Sequence, residues 1–310
     1  MSEVEKDPLV GVVMGSESDW DTMQHCVEVL KKFDIPHEKR VLSAHRTIDR
    51  VIAYAIDARK SGIIAIIAGA GGAAHLPGLM QSKSDHVPVL GVPVATKHLQ
   101  GIDSLLSINP MPTKCPVGTV AIGAAGAMQA GYFTANMIKN RRAANGSDHL
   151  LASIIGTESD WEVLRHSADT LKKFAIPHEN HILPAHRQKE EGIEYALQAQ
   201  RRGIQVIIAG SGLSAQLPGL VQEHSDLPVI AVPIPTEHAQ DLQSHLAVLQ
   251  ELGKYSVATM AIGKPGAINA GYFLAEILAN SYPAILQALR EDEGRMQAEV
   301  RAADERIRTL

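Results

Sequence analysis

The stretch Ile66-Ile67-Ala68-Gly69-Ala70-Gly71-Gly72-Ala73-Ala74-His75-Leu76-Pro77-Gly78 decides the fold of this chain. Its apolar start, from Ile63 to Ala68, is typical of a strand that is covered on both faces. The glycines after it let the backbone turn sharply, and His75 begins a short helix. A bare turn with free N–H groups in front of a helix predicts a place to hold a carboxylate or a phosphate.

The same stretch returns about 141 residues later, from Val206 to Gly219. Two further turns also return: Gly15-Ser16-Glu17-Ser18-Asp19-Trp20 as Gly156-Thr157-Glu158-Ser159-Asp160-Trp161, and Ser43-Ala44-His45-Arg46 as Pro184-Ala185-His186-Arg187. A repeat this long indicates two domains of one fold. We therefore predict a first copy at 1–140, a linker at 141–149, a second copy at 150–281 and a charged helical tail at 282–310. We expect the tail to dock on a neighbouring subunit or to remain partly free.

Apolar strands alternate with helical patterns in each copy, which predicts parallel sheets with helices on both faces. The fold class is therefore α/β, with two flavodoxin-like, three-layer, doubly wound parallel-sheet domains in tandem. Ligands of such sheets sit beyond the carboxyl ends of the strands. We expect the turns Gly15–Asp19, Ser43–Arg46 and Gly69–His75 to converge on one crevice, with Ser18 or Asp19 as the N-cap of the helix that follows the first turn.

The composition of the 310-residue chain excludes several classes of protein. A net charge of −5 and 4% aromatic residues give no reason to expect nucleic-acid binding. The polar start is unlike a signal peptide, and no apolar run has the length of a membrane span. Two cysteines outside any paired motif fit a reducing cytoplasm, and the 14 scattered histidines lack metal-ligand spacing. We expect a cytoplasmic protein without a metal.

Four motifs in order resemble one family: the turns at Gly15–Trp20, Ser43–Thr47 and Gly69–Gly78, and the segment Gly101-Ile102-Asp103-Ser104-Leu105-Leu106-Ser107-Ile108. The family is the N5-carboxyaminoimidazole ribonucleotide mutase of de novo purine synthesis, PurE. The resemblance covers about Leu9 to Lys139, and the second half is similar with altered motifs. Pro110-Met111-Pro112 and Gln129 depart from the family pattern.

The resemblance implies a cofactor-independent isomerase that moves a carboxylate from the exocyclic nitrogen of an aminoimidazole ribonucleotide to ring carbon C4. The route would pass through CO2 held by the enzyme, with His45 as acid and base because imidazole shuttles protons near neutral pH. A dry turn at Gly71–Ala74, with His75, would confine the CO2 and accelerate the reaction by proximity. Family members are octamers, which implies a homo-oligomer here, a tetramer of two-domain chains.

The resemblance also assigns roles in binding the ribonucleotide. Ser18, Ser43 and Arg46 would hold the phosphate, since hydroxyls and a guanidinium suit phosphate oxygens. Asp19 would accept from the ribose hydroxyls. The catalytic set is then His45, His75 and Ser16, and the substrate-binding set is Ser16, Ser18, Asp19, Ser43, Arg46, Gly71, Gly72 and Ala73.

The second copy keeps some of these residues and loses others. Pro184 replaces a serine, Leu213 replaces Gly72, and Gln216 replaces His75. The residues retained are Thr157, Ser159, Asp160, His186 and Arg187. We therefore expect the second copy to be weakly active or inactive and to serve assembly. Two alternatives for the whole chain stay open: a carboxylase that uses CO2 directly, and a non-catalytic nucleotide-binding or scaffold protein.

Overall fold

A computed structural model describes residues 9–97, 99–143, 151–183, 189–212, 216–235 and 255–308. The first copy contains, in chain order, β1 (Leu9–Met14), α1 (Trp20–Lys32), β2 (His37–Val41), α2 (Ile48–Ala58), β3 (Ile63–Gly71), α3 (His75–Gln81), β4 (Val89–Val94), α4 (Ile102–Ile108), β5 (Gly118–Thr119) and α5 (Gly123–Ala143). α5 therefore continues into the stretch predicted as a linker.

The described part of the second copy repeats this order of elements. It contains β6 (Ala152–Gly156), α6 (Trp161–Lys173), β7 (His178–Ile182), α7 (Lys189–Ala199), β8 (Val206–Ser211), α8 (Gln216–His224), β9 (Val229–Pro233), β10 (Val257–Thr259), α9 (Gly263–Ala279) and the tail helix α10 (Pro283–Arg308). No helix among the described residues is both long and apolar enough to cross a membrane.

The ten described strands form one sheet in the order β2-β1-β3-β4-β5-β10-β9-β8-β6-β7. Neighbouring strands are parallel inside each copy, and the two halves meet where β5 and β10 pair antiparallel at Thr119 and Thr259. Each half therefore has the strand order 2-1-3-4-5 of a flavodoxin-like sheet, and the predicted fold class is confirmed. This topology places the carboxyl ends of β1 and β3 side by side.

The two copies share one apolar core. Helices α1, α5, α6 and α9 bury a continuous cluster against the sheet, and the rings of Phe133 and Phe273 lie 6.1 Å apart within it. The glycine at the end of β3 is part of this packing, because a Cβ atom on Gly69 would lie 2.3 Å from the sulfur of Met23. The second copy is therefore packed against the first and is not merely tethered to it.

The tail helix α10 docks on its own chain over its first half. Ile285 and Leu289 are buried, and Arg290 forms an ion pair with Asp85 of the first copy at 2.6 Å. Val300 and Ile307, near the other end, are 70% and 68% exposed. The expectation of docking on a neighbouring subunit is thus wrong for the first half of the tail, whose side chains find complementary partners across both copies.

A buried polar network joins the first copy to α9 and α10. The Glu276 carboxylate is fully buried and accepts a hydrogen bond from Gln81 Nε2 at 2.6 Å. His86 lies between two carboxylates, 3.7 Å from Glu276 and 3.3 Å from Glu293. Burial lowers the pKa of His86, but these carboxylates and Asp85 outweigh it and hold the pKa above the usual value.

This raised pKa predicts a pH-dependent contribution to stability. A histidine whose pKa is higher in the folded state stabilises fully below its unfolded pKa of about 6.5, and loses that contribution as pH rises through the folded pKa. We expect His86→Gln to lower the free energy of unfolding by on the order of 1–3 kcal/mol in acid, since Glu276 loses a partner. The difference from wild type should shrink toward alkaline pH.

Urea unfolding across this pH range measures the effect. His25→Gln is the control, because His25 is partly exposed on α1 and pairs with Glu28 of the same helix at 3.5 Å. A stability difference for His86→Gln that stays constant with pH would contradict the assigned ion pairs.

Candidate active site

Three turns of the first copy enclose a crevice of about 270 Å³ at the carboxyl ends of β1, β2 and β3. The crevice brings together residues from three motifs that are far apart in sequence. Ser18 and Gly72 adjoin it through their neighbours in the chain. The lining residues are Gly15, Ser16, Asp19, Ser43, Ala44, His45, Arg46, Ala70, Gly71, Ala73, His75 and Leu76.

His45 and His75 face each other across this crevice. His45 Nε2 lies 2.9 Å from His75 Nδ1, and the ring planes meet at 67°. At that distance one nitrogen donates a hydrogen bond and the other accepts it, so the two rings are linked directly. Both side chains are exposed in the single chain. The geometry can therefore deliver a proton to a ligand in the crevice or remove one from it.

The first turn is organised by Ser16. Its hydroxyl accepts from the backbone N–H of Ser18 at 3.3 Å and from the Ser18 hydroxyl at 2.9 Å, so it caps the short 3-10 helix Glu17–Asp19. Asp19 stands at the N-cap position of α1, as predicted, but its side chain makes no capping bond to that helix and instead accepts from the Ser16 N–H at 3.0 Å. Burial raises the pKa of Asp19, although hydrogen bonds from Ser16 and Gly15 partly offset this.

The second turn is fastened by Thr47. Its hydroxyl accepts from the backbone N–H of Ser43 and donates to the carbonyl of Ser43, both at 3.1 Å. The Ser43 hydroxyl accepts from the Arg46 N–H at 3.3 Å, which closes the turn. The side chains of His45 and Arg46 remain exposed beside the crevice. The polar backbone groups of the turn therefore form hydrogen bonds within the turn, and the imidazole of His45 and the guanidinium of Arg46 are the groups presented to the crevice.

The glycine turn is held by helix α4. Gly72 has a φ of +65°, and its N–H donates to Ser104 Oγ at 2.8 Å. Ser104 in turn donates to the carbonyl of Val94 at 2.8 Å. The prediction of free N–H groups in this turn is therefore wrong at Gly72. The prediction of a dry turn is also not met in the single chain, because Gly71 and Ala73 are exposed.

Sequence reasoning missed the role of the serines on α4. Ser107 donates to the carbonyl of Gly72 at 3.1 Å, so Ser104 and Ser107 hold both polar groups of that residue. The sequence did contain an indication of this role. Ser104 and Ser107 are three residues apart and so share one face of α4, and α4 follows β4, the strand next to β3. The pairing across 32 residues required the fold.

We expect Ser104→Ala to lower turnover about tenfold while the protein stays folded. The change leaves the Gly72 N–H and the Val94 carbonyl without their partner, which costs on the order of 1–3 kcal/mol and lets the turn move. Steady-state kinetics give kcat and KM, and a thermal unfolding scan gives stability. Ser82→Ala is the control, because Ser82 bonds only within the end of α3. Unchanged kcat in Ser104→Ala would refute the role of this serine.

The second copy keeps the first turn intact. The Thr157 N–H donates to Asp160 at 2.8 Å, and the hydroxyls of Thr157 and Ser159 lie 2.9 Å apart. These distances match those in the first copy. Gln216 stands at the start of α8, where the first copy has His75. His186, Arg187, Pro184 and Leu213 lie outside the described residues.

One of the two departures from the family pattern, the loop with Pro110–Pro112, lies at the contact between the copies. Asn269 of the second copy accepts from the Lys114 N–H at 2.7 Å and donates to the Pro112 carbonyl at 3.0 Å. Gln129, the matching residue of the first copy, accepts from the Ala121 N–H at 3.1 Å. The second copy therefore supports the loop of the first that carries Pro110–Pro112.

Comparison with known proteins decides the family. The family model described as AIR carboxylase matches residues 9–147 and again residues 150–299. The chain belongs to this family. Two matches in tandem confirm the duplication.

Several relatives carry the name N5-carboxyaminoimidazole ribonucleotide mutase. The chain is 55% identical to the protein of Bacillus subtilis over 131 residues, which are 42% of this chain and 80% of the relative. It is 55% identical to that of Pseudomonas aeruginosa over 130 residues, 42% and 79% of the two chains. It is 50% identical to that of Escherichia coli over 138 residues, which are 44% of this chain and 81% of the relative. Each alignment spans about the length of one copy.

Proposed function

We propose that this chain is an N5-carboxyaminoimidazole ribonucleotide mutase with its chemistry in the first copy. The observation that carries the proposal is the His45–His75 pair, 2.9 Å apart in a crevice lined by the family's motifs. The names of the relatives support the substrate. A pair of histidines that can donate and accept protons suits a reaction that moves only protons and CO2.

Substrate binding would use the two turns beside the histidines. Ser18, Ser43 and Arg46 bind the phosphate through hydroxyls and a guanidinium. Asp19, which the Ser16 N–H holds in place through Oδ2, would accept from the ribose hydroxyls. Ser16 lies beside the base. These contacts place the aminoimidazole ring over Gly71 and Ala73.

The reaction returns His45 to its starting state. The bond between the exocyclic nitrogen and the carboxyl carbon breaks, its electron pair stays on nitrogen, and that nitrogen takes a proton from His45. Ring carbon C4 then attacks the released CO2 and forms the new carbon–carbon bond. His45 removes the proton from C4, which restores the aromatic ring. His75 exchanges the proton with His45, and the glycine turn keeps CO2 near C4.

A direct carboxylase is the second candidate, favoured by the description of the family model as AIR carboxylase. Such an enzyme would take CO2 from solution and would start from aminoimidazole ribonucleotide. The sequence Ala73-Ala74-His75-Leu76-Pro77-Gly78 resembles the mutase type. The relatives at 50–55% identity also carry the mutase name.

One assay separates the two candidates. Purified protein is incubated with N5-carboxyaminoimidazole ribonucleotide, without ATP, metal or added bicarbonate, and the C4-carboxylated isomer is measured. A mutase converts this substrate. Conversion of aminoimidazole ribonucleotide at high bicarbonate, with no conversion of the N5-carboxylated substrate, would establish the carboxylase. Absence of both activities would refute an enzymatic role.

A further inference from the structure

The two copies carry the same three-residue cluster, which joins the end of one helix to the middle of another. Lys173 donates to the Tyr272 hydroxyl at 3.1 Å, and the rings of Phe174 and Tyr272 lie 5.1 Å apart at 84°. In the first copy, Lys32 donates to the Tyr132 hydroxyl at 3.3 Å, and the rings of Phe33 and Tyr132 lie 5.8 Å apart at 79°. The local chemistry of the two clusters is the same.

Helix α10 covers the cluster of the second copy. Asp292, buried on α10, forms an ion pair with Lys173 at 2.5 Å and accepts a hydrogen bond from the Tyr272 hydroxyl. Phe174 is left 3% exposed. The same helix reaches across to the first copy, where Arg290 pairs with Asp85. We call the surface formed by Lys173, Phe174, Tyr272 and Asp85 the α10 seat.

No helix of the described residues covers the matching surface on the other side. Phe33 and Tyr132, with Asp226 at the position of Asp85, line a groove of about 1170 Å³ that we call the twin groove, and Lys32 adjoins it next to Phe33. Phe33 is 46% exposed, against 3% for Phe174. Leu197 on the opposite wall is 57% exposed. No carboxylate of the described residues forms an ion pair with Lys32.

The connection between the copies is too short to supply the missing helix. The part of α10 that fills its seat runs from Ile285 to Met296, roughly three helical turns. α5 ends at Ala143 and β6 begins at Ala152. The intervening chain is shorter than that segment. A helix in the twin groove must therefore come from outside this stretch of chain.

We propose that the twin groove binds an amphipathic helix of a partner protein. The helix would have the pattern of α10, with two aliphatic residues one turn apart, as at Ile285 and Leu289, followed by an acidic residue, as at Asp292. The aliphatic residues pack on Phe33, and the acidic residue pairs with Lys32 and Tyr132. Helices with such spacing bind apolar grooves in many complexes.

Charges of both signs at the groove fit the pattern of α10, which carries both Arg290 and Asp292. Lys139 and Arg201 line the groove together with Glu223 and Asp226, and Lys32 adjoins the lining residue Phe33. Asp226 forms an ion pair with Lys139, as Asp85 does with Arg59 at 3.8 Å. Asp85 nevertheless also binds Arg290 of α10, so Asp226 can accept a basic residue of the partner in the same way.

A synthetic peptide of residues 282–308 is the probe. It carries the pattern, and fluorescence anisotropy of the labelled peptide measures its binding to the full chain. We expect saturable binding that Lys32→Glu weakens about tenfold or more, because the Asp292 pair becomes a repulsion. The peptide with Asp292→Lys should regain affinity for the Lys32→Glu protein. Lys31→Glu, an exposed neighbour, is the matched control and should leave binding unchanged.

Three results would overturn the proposal. The first is no binding at millimolar peptide. The second is binding that Lys173→Glu alters and Lys32→Glu does not, which would place the peptide in the α10 seat by exchange. The third is a self-associated chain whose mass, measured by light scattering, falls when peptide is added to the wild type but not when it is added to Lys32→Glu. That result would assign the groove to a second copy of this chain.

Discussion

His45→Ala is expected to lower kcat for conversion of N5-carboxyaminoimidazole ribonucleotide by about 10²–10⁴-fold, the usual contribution of a general acid and base. His75 cannot replace it alone, because the proposed mechanism places His45 next to the exocyclic nitrogen and C4. Stopped assays of the C4-carboxylated product at several substrate concentrations separate kcat from KM. KM should change little, since the phosphate and ribose contacts come from other residues.

The duplication provides the matched control for this variant. His186→Ala changes the corresponding residue of the second copy and should retain nearly full activity. A loss as large as that of His45→Ala would mean that the second copy catalyses the reaction too. It would also remove the basis for assigning the second copy a role in assembly.

Gly72→Leu is expected to lower kcat at least about a hundredfold. The change gives the glycine turn of the first copy the leucine that the second copy has at the matching position, Leu213. The φ of +65° costs a side chain about 1–2 kcal/mol, and the leucine would displace the turn that holds CO2 near C4. Gly62→Leu separates strain from function, because Gly62 has a φ of +85° and open space around it. Both variants should lose similar stability in urea unfolding, and only Gly72→Leu should lose activity.

Equal activity of the two glycine variants would contradict the role of the Gly72 turn. The reverse change in the second copy, Leu213→Gly, should not create a second active site. Gln216 still lacks an imidazole nitrogen that can exchange a proton with His186.

The second copy packs against the first through specific contacts. Phe273 packs beside Phe133 in the shared core, and Asn269 binds both sides of the loop at Pro112–Lys114. Arg290 reaches Asp85 from the tail. These contacts hold the second copy and the tail helix against the first copy. A copy kept for assembly can lose catalytic residues while these contacts persist.

The sequence predicted the fold because the fold depends on local signals that recur. The apolar run at Ile63–Ala68 and the matching run in the second half are typical of buried strands. The turns that follow these strands mark the edge of the sheet where ligands bind. The crevice residues followed from three motifs at three strand ends. Asp19 stands at the predicted N-cap position of α1, and only the capping bond that Ser16 makes in the preceding 3-10 helix was missed.

The rest depended on contacts between distant residues. Nothing local shows that the Ser104 hydroxyl binds the Gly72 N–H, since that pair exists only once β3 and β4 are neighbours. Phe33 and Phe174 sit in nearly identical sequences, yet one is 46% exposed and the other 3%. The difference lies in where α10 docks, and the charged sequence of that helix gave no sign that Asp292 would be buried beside Lys173.

The most direct test of the central claim follows the carboxylate itself. N5-carboxyaminoimidazole ribonucleotide labelled with ¹³C in its carboxylate is converted in the presence of unlabelled bicarbonate, and the label in the C4-carboxylated product is measured by mass spectrometry. A mutase that holds CO2 in the first-copy crevice delivers a product that retains nearly all of the label. A product whose label is diluted to the level of the bicarbonate pool would contradict this account and establish a carboxylase that takes CO2 from solution.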